Sequence, residues 1–131
     1  KAIARQIEHT EAALAKSGSA AALSTLKRLR AAREAFLQVV DFVAGNTKAS
    51  PNAVFAGSVP YLMLAGNVMA GWQMARALIV AEDSKEDAAF MAAKVATARF
   101  YAEHILSKVP GIRDSIVEGH AAINDMALEA F

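Results

Sequence analysis

The chain has 131 residues, sets 14 Lys and Arg against 13 Asp and Glu for a net charge of +1, and contains no cysteine. That length suits one domain burying about two thirds of the surface its unfolded form exposes. The charge balance excludes a whole-chain field that would draw nucleic acid or an anionic membrane, and the missing cysteines exclude disulfides and thiol catalysis; a reducing, cytoplasmic setting is expected.

Alanine fills 31 positions against three prolines and seven glycines. Alanine loses no side-chain entropy in a helix, so this composition favours helices throughout. No charged start followed by an apolar core and a cleavage site is present. Opening mid-helix at Lys1, the chain reads as a single domain, 1–131, cut from the C-terminal part of a longer protein.

From Lys1 to about Lys16, Ile3, Ile7, Thr10 and Leu14 recur at helical spacing, with Arg5, Glu8 and Glu11 on other faces. Ser17-Gly18 supplies a stop and Ser19 a cap for a second helix from about Ala20 to Ala44. Its apolar row is Leu26, Leu29, Phe36, Val40 and Val43, and Gly45-Asn46 closes it. Ser50-Pro51 starts a third helix, because proline at the first helical position gives up only an orphan amide. That helix runs to about Ala81 and is expected to kink at Pro60, which cannot donate to the Ala56 carbonyl. Ser84 and Asp87 have capping-box spacing ahead of a fourth helix, whose apolar row is Met91, Val95, Ala98, Ala102 and Ile105. Pro110-Gly111 is expected to end it near Lys108, and a last helix from about Ile112 carries Ile112, Ile116, Ile123 and Met126. With no sustained alternation, the expectation is an all-α antiparallel bundle of four to five helices.

The stretch VPYLMLAGNVMAGWQMARALIVA, Val59 to Ala81, is long enough for a hydrocarbon core of ~30 Å. Arg76 counts against a span, since arginine near a helix centre costs roughly 2.5 to 3.5 kcal/mol on insertion scales. Asn67 and Gln73 add to that cost, and the expectation is the central helix of a bundle. Gly66 with Ala70, and Gly71 with Ala75, place small residues one turn apart, where another helix can approach closely. Trp72 is expected to be largely buried, and a ligand slot beside Tyr61, Asn67 and Trp72 stays open as a reading.

Catalytic patterns are missing. His9, His104 and His120 fall on separate helices without Glu-x-x-His spacing, so no metal site is expected. Ala56-Gly57-Ser58-Val59 lacks the second glycine of a nucleophile elbow. Lys27, Arg28, Arg30 and Arg33 form the densest basic cluster and could meet phosphate, but no aromatic stacking accompanies them; the reading is a solvated face partly neutralised by Glu34.

The order Asn52-Ala53, Val59-Pro60-Tyr61-Leu62, Gly66, Gly71-Trp72, Ala93-Lys94 and Ala98-Arg99-Phe100-Tyr101-Ala102-Glu103 resembles the extra C-terminal domain of bacterial acyl-CoA dehydrogenases. The similar subgroup includes the 3-methylmercaptopropionyl-CoA dehydrogenases, and the resemblance covers nearly the whole chain. It implies a homo-oligomeric parent flavoenzyme whose preceding domains hold FAD and acyl-CoA. There a glutamate base removes the α-proton while the β-hydrogen leaves as hydride to the flavin. The family's catalytic and flavin motifs have no counterpart here, so Glu82, Glu86, Glu103, Glu118 and Glu129 receive no catalytic role, and no cofactor-binding residue is assigned. The resemblance carries over structural roles only: Pro60 and Tyr61 at a bend and lid, Gly66 and Gly71 at a close crossing, Trp72 as an anchor, and Arg99 and Tyr101 tying helix ends or reaching the preceding domain. The basic cluster Lys27 to Arg33 is not a hallmark of that family. A free-standing interaction module and a small-ligand-binding bundle stay open as alternatives.

Overall fold

The computed structural model describes residues 1–130. α1 (Ala2–Ser17) and α2 (Ala20–Asn46) form a hairpin whose turn is the predicted one. Gly18 sits at φ 68° and its amide bonds the Leu14 carbonyl, a backbone state that a Cβ would strain. The Ser19 hydroxyl accepts the Ala22 amide at 3.0 Å and so caps α2. α3 (Pro51–Ala56) and α4 (Ser58–Asp83) follow, and a short turn leads to α5 (Ala88–His104). One 3-10 turn, Leu106–Lys108, then precedes α6 (Val109–Val117), α7 (His120–Asn124) and a final 3-10 turn, Leu128–Ala130. No strand occurs among the described residues, and the expected all-α bundle is found.

Short loops make sequential neighbours antiparallel. α2 and α4 form the central seam, each touching α1, α5 and α6 as well as the other. Ile7, Leu14, Leu29, Val39, Leu64, Val68, Leu78, Leu106, Val109 and Ile116 are fully buried around that seam. Ala22, Ala32 and Ala75 are also fully buried, so helix backbones approach closely there.

Several boundaries differ from the sequence reading. The expected kink at Pro60 is instead a break at Gly57, three residues earlier. Pro60 thereby falls in the first turn of α4, where a missing amide removes no intrahelical bond. Gly57 tolerates the break because Ile116 presses on it: an added Cβ would meet Ile116 Cγ2 at 2.9 Å. Pro110 and Gly111 do not end a helix but lie inside the start of α6, with Pro110 again in a first turn. The Ser84–Asp87 capping box does not form. Asp87 is itself the N-cap of α5, accepting the Phe90 amide at 3.1 Å from a left-handed φ of 39°. The last helix breaks around Gly119 into α6 and α7.

The apolar rows shift slightly. Ile3 is 45% exposed and Ala4 is buried in its place, while on α2 the seam uses Val39 where Val40 was expected. No helix among the described residues is long and apolar enough to cross a membrane, as expected for α4.

Candidate functional site

The residues nominated from the sequence do not converge. Pro60 and Tyr61 are partly buried at the start of α4, and Gly66 is exposed on its outer face. An added Cβ at Gly66 would meet nothing within 4 Å, so the close crossing expected there is absent. At Gly71, fully enclosed one turn and a half later, the same Cβ would lie 2.5 Å from Leu106 Cδ2. The crossing partner is the 3-10 turn after α5 rather than another helix.

Trp72 has most of its surface buried against the core without being fully enclosed. Its ring leans on the core and its Nε1 donates to Thr10 Oγ1 at 2.8 Å, while Thr10 in turn donates to the Gln6 carbonyl at 3.3 Å. A surface groove of about 390 Å³ beside it is lined by Gln6, His9, Arg76 and Ile79, not by Tyr61 or Asn67. The slot imagined between those three residues is therefore not assembled. Arg99 is exposed and bonds Glu103 at 2.8 Å on its own helix. The Tyr101 hydroxyl donates to the Asn67 carbonyl at 3.4 Å, tying α5 to α4, and burial pushes its phenol up from its ordinary pKa.

Two members of the basic cluster, Arg30 and Arg33, are paired from α1 by Glu8 and Glu11, and Glu34 adds a weaker attraction on Arg33. Arg33 Nε donates to Glu11 Oε1 at 2.7 Å, its Nη2 to Oε2 at 3.3 Å and its Nη1 to Glu8 at 3.0 Å. The Arg30 Nε donates to Glu11 at 3.5 Å. With the Glu11 and Arg33 side chains only 6% and 12% exposed, this is an interhelical strut and not a phosphate site.

Nucleophile chemistry is not set up either. Ser17 and Ser19 donate to Glu82, and Ser24 to Glu103 at 2.7 Å, with no histidine between hydroxyl and carboxylate. His104 stacks on Phe100 and His120 tilts against Phe42. Among the described residues no group of three His, Cys, Asp or Glu side chains could hold a metal ion.

What the sequence reading missed is an apolar patch at the α3–α4 junction. Phe55, Val59, Leu62 and Met63 are 68%, 69%, 73% and 59% exposed; Leu62 and Met63 lie three and four residues after Val59 and share its outer face of α4, while Phe55 lies just across the Gly57 break at the end of α3. They belong to the same apolar run whose other face, Leu64, Val68 and Leu78, is buried. The available signal was that α4 is apolar all round, whereas the bundle covers only one side of it. A contiguous exposed patch of this kind marks a contact surface.

A model of the family described as "Acetyl-CoA dehydrogenase C-terminal like" matches residues 3–127. The chain belongs to that family. It is 42% identical over 106 residues to a 3-methylmercaptopropionyl-CoA dehydrogenase of Ruegeria pomeroyi, an alignment covering 79% of this chain and 18% of that protein. The chain thus spans about a fifth of the relative's length, and the resemblance read from Val59-Pro60-Tyr61-Leu62 to Glu103 is to the right family.

Whether this acyl-CoA dehydrogenase C-terminal domain offers a seat for FAD can be judged from its own groups. A dinucleotide needs donors for its diphosphate and a deep apolar slot for its ring system. The polar atoms of Trp72 and Tyr101 are already bonded within the bundle, and although Arg76 and Lys94 could meet a diphosphate at one groove, the grooves are open and give no deep slot for the ring system. Among the described residues the buried side-chain polar atoms without partners are Thr25 Oγ1 and Arg113 Nε, and neither residue lines a described groove. These residues do not fit FAD by themselves.

Proposed function

We propose that this domain is an accessory, non-catalytic unit of an FAD-dependent acyl-CoA dehydrogenase, and that it docks on the preceding dehydrogenase domains through the Phe55–Val59–Leu62–Met63 patch. The observation that carries the reading is that patch, four large apolar side chains left exposed around the α3–α4 junction in a chain whose family is described as the C-terminal part of a dehydrogenase. Left in water, each such side chain forfeits roughly 1.5 to 3 kcal/mol of burial free energy, so a covering surface is strongly favoured.

In this reading the parent enzyme oxidises the α,β bond of an acyl-CoA thioester, and FAD, acyl-CoA and the catalytic base all belong to the other domains. The parent is a cytoplasmic homo-oligomer. Pro60 and Tyr61 flank the docking patch at the start of α4, Gly71 and Trp72 hold α4 against its neighbours, and Tyr101 fixes α5 to α4. Gly66 and Arg99 sit on outer surfaces, where they take part in docking rather than in packing the bundle.

The test uses the full-length parent and the 131-residue chain. In the parent, Leu62→Glu with Met63→Glu is expected to split a single thermal transition into two and to expose the domain to proteolysis, while leaving the helix content of the separate chain unchanged. The separate chain is expected to retain no flavin and to oxidise no acyl-CoA, with flat Trp72 emission across a flavin and acyl-CoA panel. Turnover or flavin retention by the chain alone, or a parent indifferent to both substitutions, would overturn the proposal.

A further inference from the structure

Two further surfaces of this domain lack a partner within it, and they are chemically opposite. Near the tip of the α4–α5 hairpin, a groove of about 430 Å³ is floored by Ala77, Val80, Phe90 and Met91 and rimmed by Arg76 and Lys94. A depression of about 250 Å³ extends it past Ala93 and Thr97. Val80 and Phe90 are 67% and 52% exposed although they sit at the groove's centre. Each rim cation rests over a ring, Arg76 5.7 Å from the Trp72 centroid and Lys94 5.3 Å from that of Phe90. Arg76 donates to the neutral side-chain oxygen of Gln73, and neither cation has a carboxylate partner among the described residues. No acidic side chain lines either depression.

The C-terminal segment has the complementary character. Residues 121–130 are all exposed, with Ile123, Met126 and Leu128 at 61%, 53% and 81%. From Asp114 onward the chain has no Lys or Arg and carries Asp114, Glu118, Asp125 and Glu129. Arg113 pairs with the first two. Asp125 and Glu129 have no cation partner among the described residues.

We propose that the α4–α5 groove of one copy receives the C-terminal segment of a second copy. Ile123, Met126 and Leu128 lie on Val80 and Phe90, and Asp125 and Glu129 meet Arg76 and Lys94. The contact forms between copies because α7 packs on α3, ahead of the start of α4, whereas the groove lies at the other end of that helix. From Ser58 to Arg76 the helix rises roughly 27 Å at 1.5 Å per residue. Two copies laid antiparallel place each acidic segment over the other's groove, so a two-fold arrangement satisfies both sites at once. Pairing of exposed charges gives this contact a marked salt dependence. The Phe55–Met63 patch lies at the opposite end of α4 from the groove, so dimerisation and docking on the dehydrogenase domains are separate events.

Sedimentation equilibrium of the 131-residue chain, over a dilution series reaching millimolar concentration, tests the contact. A dimer is expected that weakens about tenfold or more on reversing charge in the groove (Arg76→Glu with Lys94→Glu) and equally on reversing it in the segment (Asp125→Lys with Glu129→Lys). Mixing the two variants is expected to restore association as a heterodimer, because each then meets a complementary charge at both sites. That restoration also shows both variants folded. A chain that stays monomeric throughout, a dimer indifferent to the reversals, or a mixture that fails to associate would each overturn the proposal.

Discussion

The indole Nε1 of Trp72 donates to the hydroxyl of Thr10 at 2.8 Å, joining α4 to α1 across 62 positions of sequence. Because the residue is mostly but not fully buried, its truncation costs less than the roughly 3 to 5 kcal/mol of a fully enclosed aromatic. Trp72→Ala is expected to destabilise by about 2 to 3 kcal/mol, and Trp72→Phe, which keeps most of the packing and loses the hydrogen bond, by about 1 kcal/mol. Urea melts read both values. A Trp72→Phe variant as unstable as Trp72→Ala would mean that the bond, not the ring, holds α1.

The Glu11–Arg33 pair also links α1 to α2, and it is enclosed enough that losing one partner strands a charge. Removing one member of a buried pair costs more than the pair contributes. Glu11→Ala is expected to destabilise by about 2 to 3 kcal/mol, the lower end for such sites, since Glu8 still reaches Arg33. Replacing both Glu11 and Arg33 by Met is expected to cost clearly less than the single change. Chemical denaturation of the two variants decides it, and equal losses would contradict the stranded-charge account.

Gly71 and Gly66 make a matched pair of substitutions on one helix. An added methyl at Gly71 runs into buried Leu106, so Gly71→Ala is expected to cost about 1 to 3 kcal/mol through overpacking. At Gly66 the methyl meets open space, and Gly66→Ala is expected to stabilise by roughly 0.5 to 1 kcal/mol through helix propensity. Thermal melts should therefore move in opposite directions.

Glu103 accepts from Ser24 at 2.7 Å and Arg99 at 2.8 Å, and those bonds, Ser24 first, hold its carboxyl below the usual glutamate range. A folded-state pKa below the unfolded value near about 4.3 gives a contribution fully present above that pH and lost as pH falls through the folded value. The stability gap between wild type and Glu103→Gln is expected to be widest near neutrality and to close on acidification below about pH 4. Melting temperatures taken across that range check it, and a gap that widens in acid would contradict the assignment.

Much of the architecture was legible in the residues. Gly18 and Ser19 end one helix and cap the next wherever the chain goes, because a left-handed glycine and a side-chain cap are local devices. The family was legible for a similar reason, since residue order is read without reference to contacts. Pro60 was misread because proline forbids a helix interior but suits a helix start, and which of these it occupies depended on Ile116 closing over Gly57 from 59 residues away.

By itself the sequence determined the helix content, the α1–α2 turn and the family, which follow from propensity, capping and residue order. Only the tertiary structure decided which faces of those helices are spent on the core. Apolar side chains such as Leu62 and Leu64 are chemically alike, and burial separates them: Leu64 is fully enclosed while Leu62 is 73% exposed. Likewise Arg33 and Arg76 are the same cation, yet one is neutralised by Glu11 from α1 and the other, at the rim of a groove, meets no carboxylate among the described residues. Those differences arise from non-local packing, and they are what marks the docking patch and the groove.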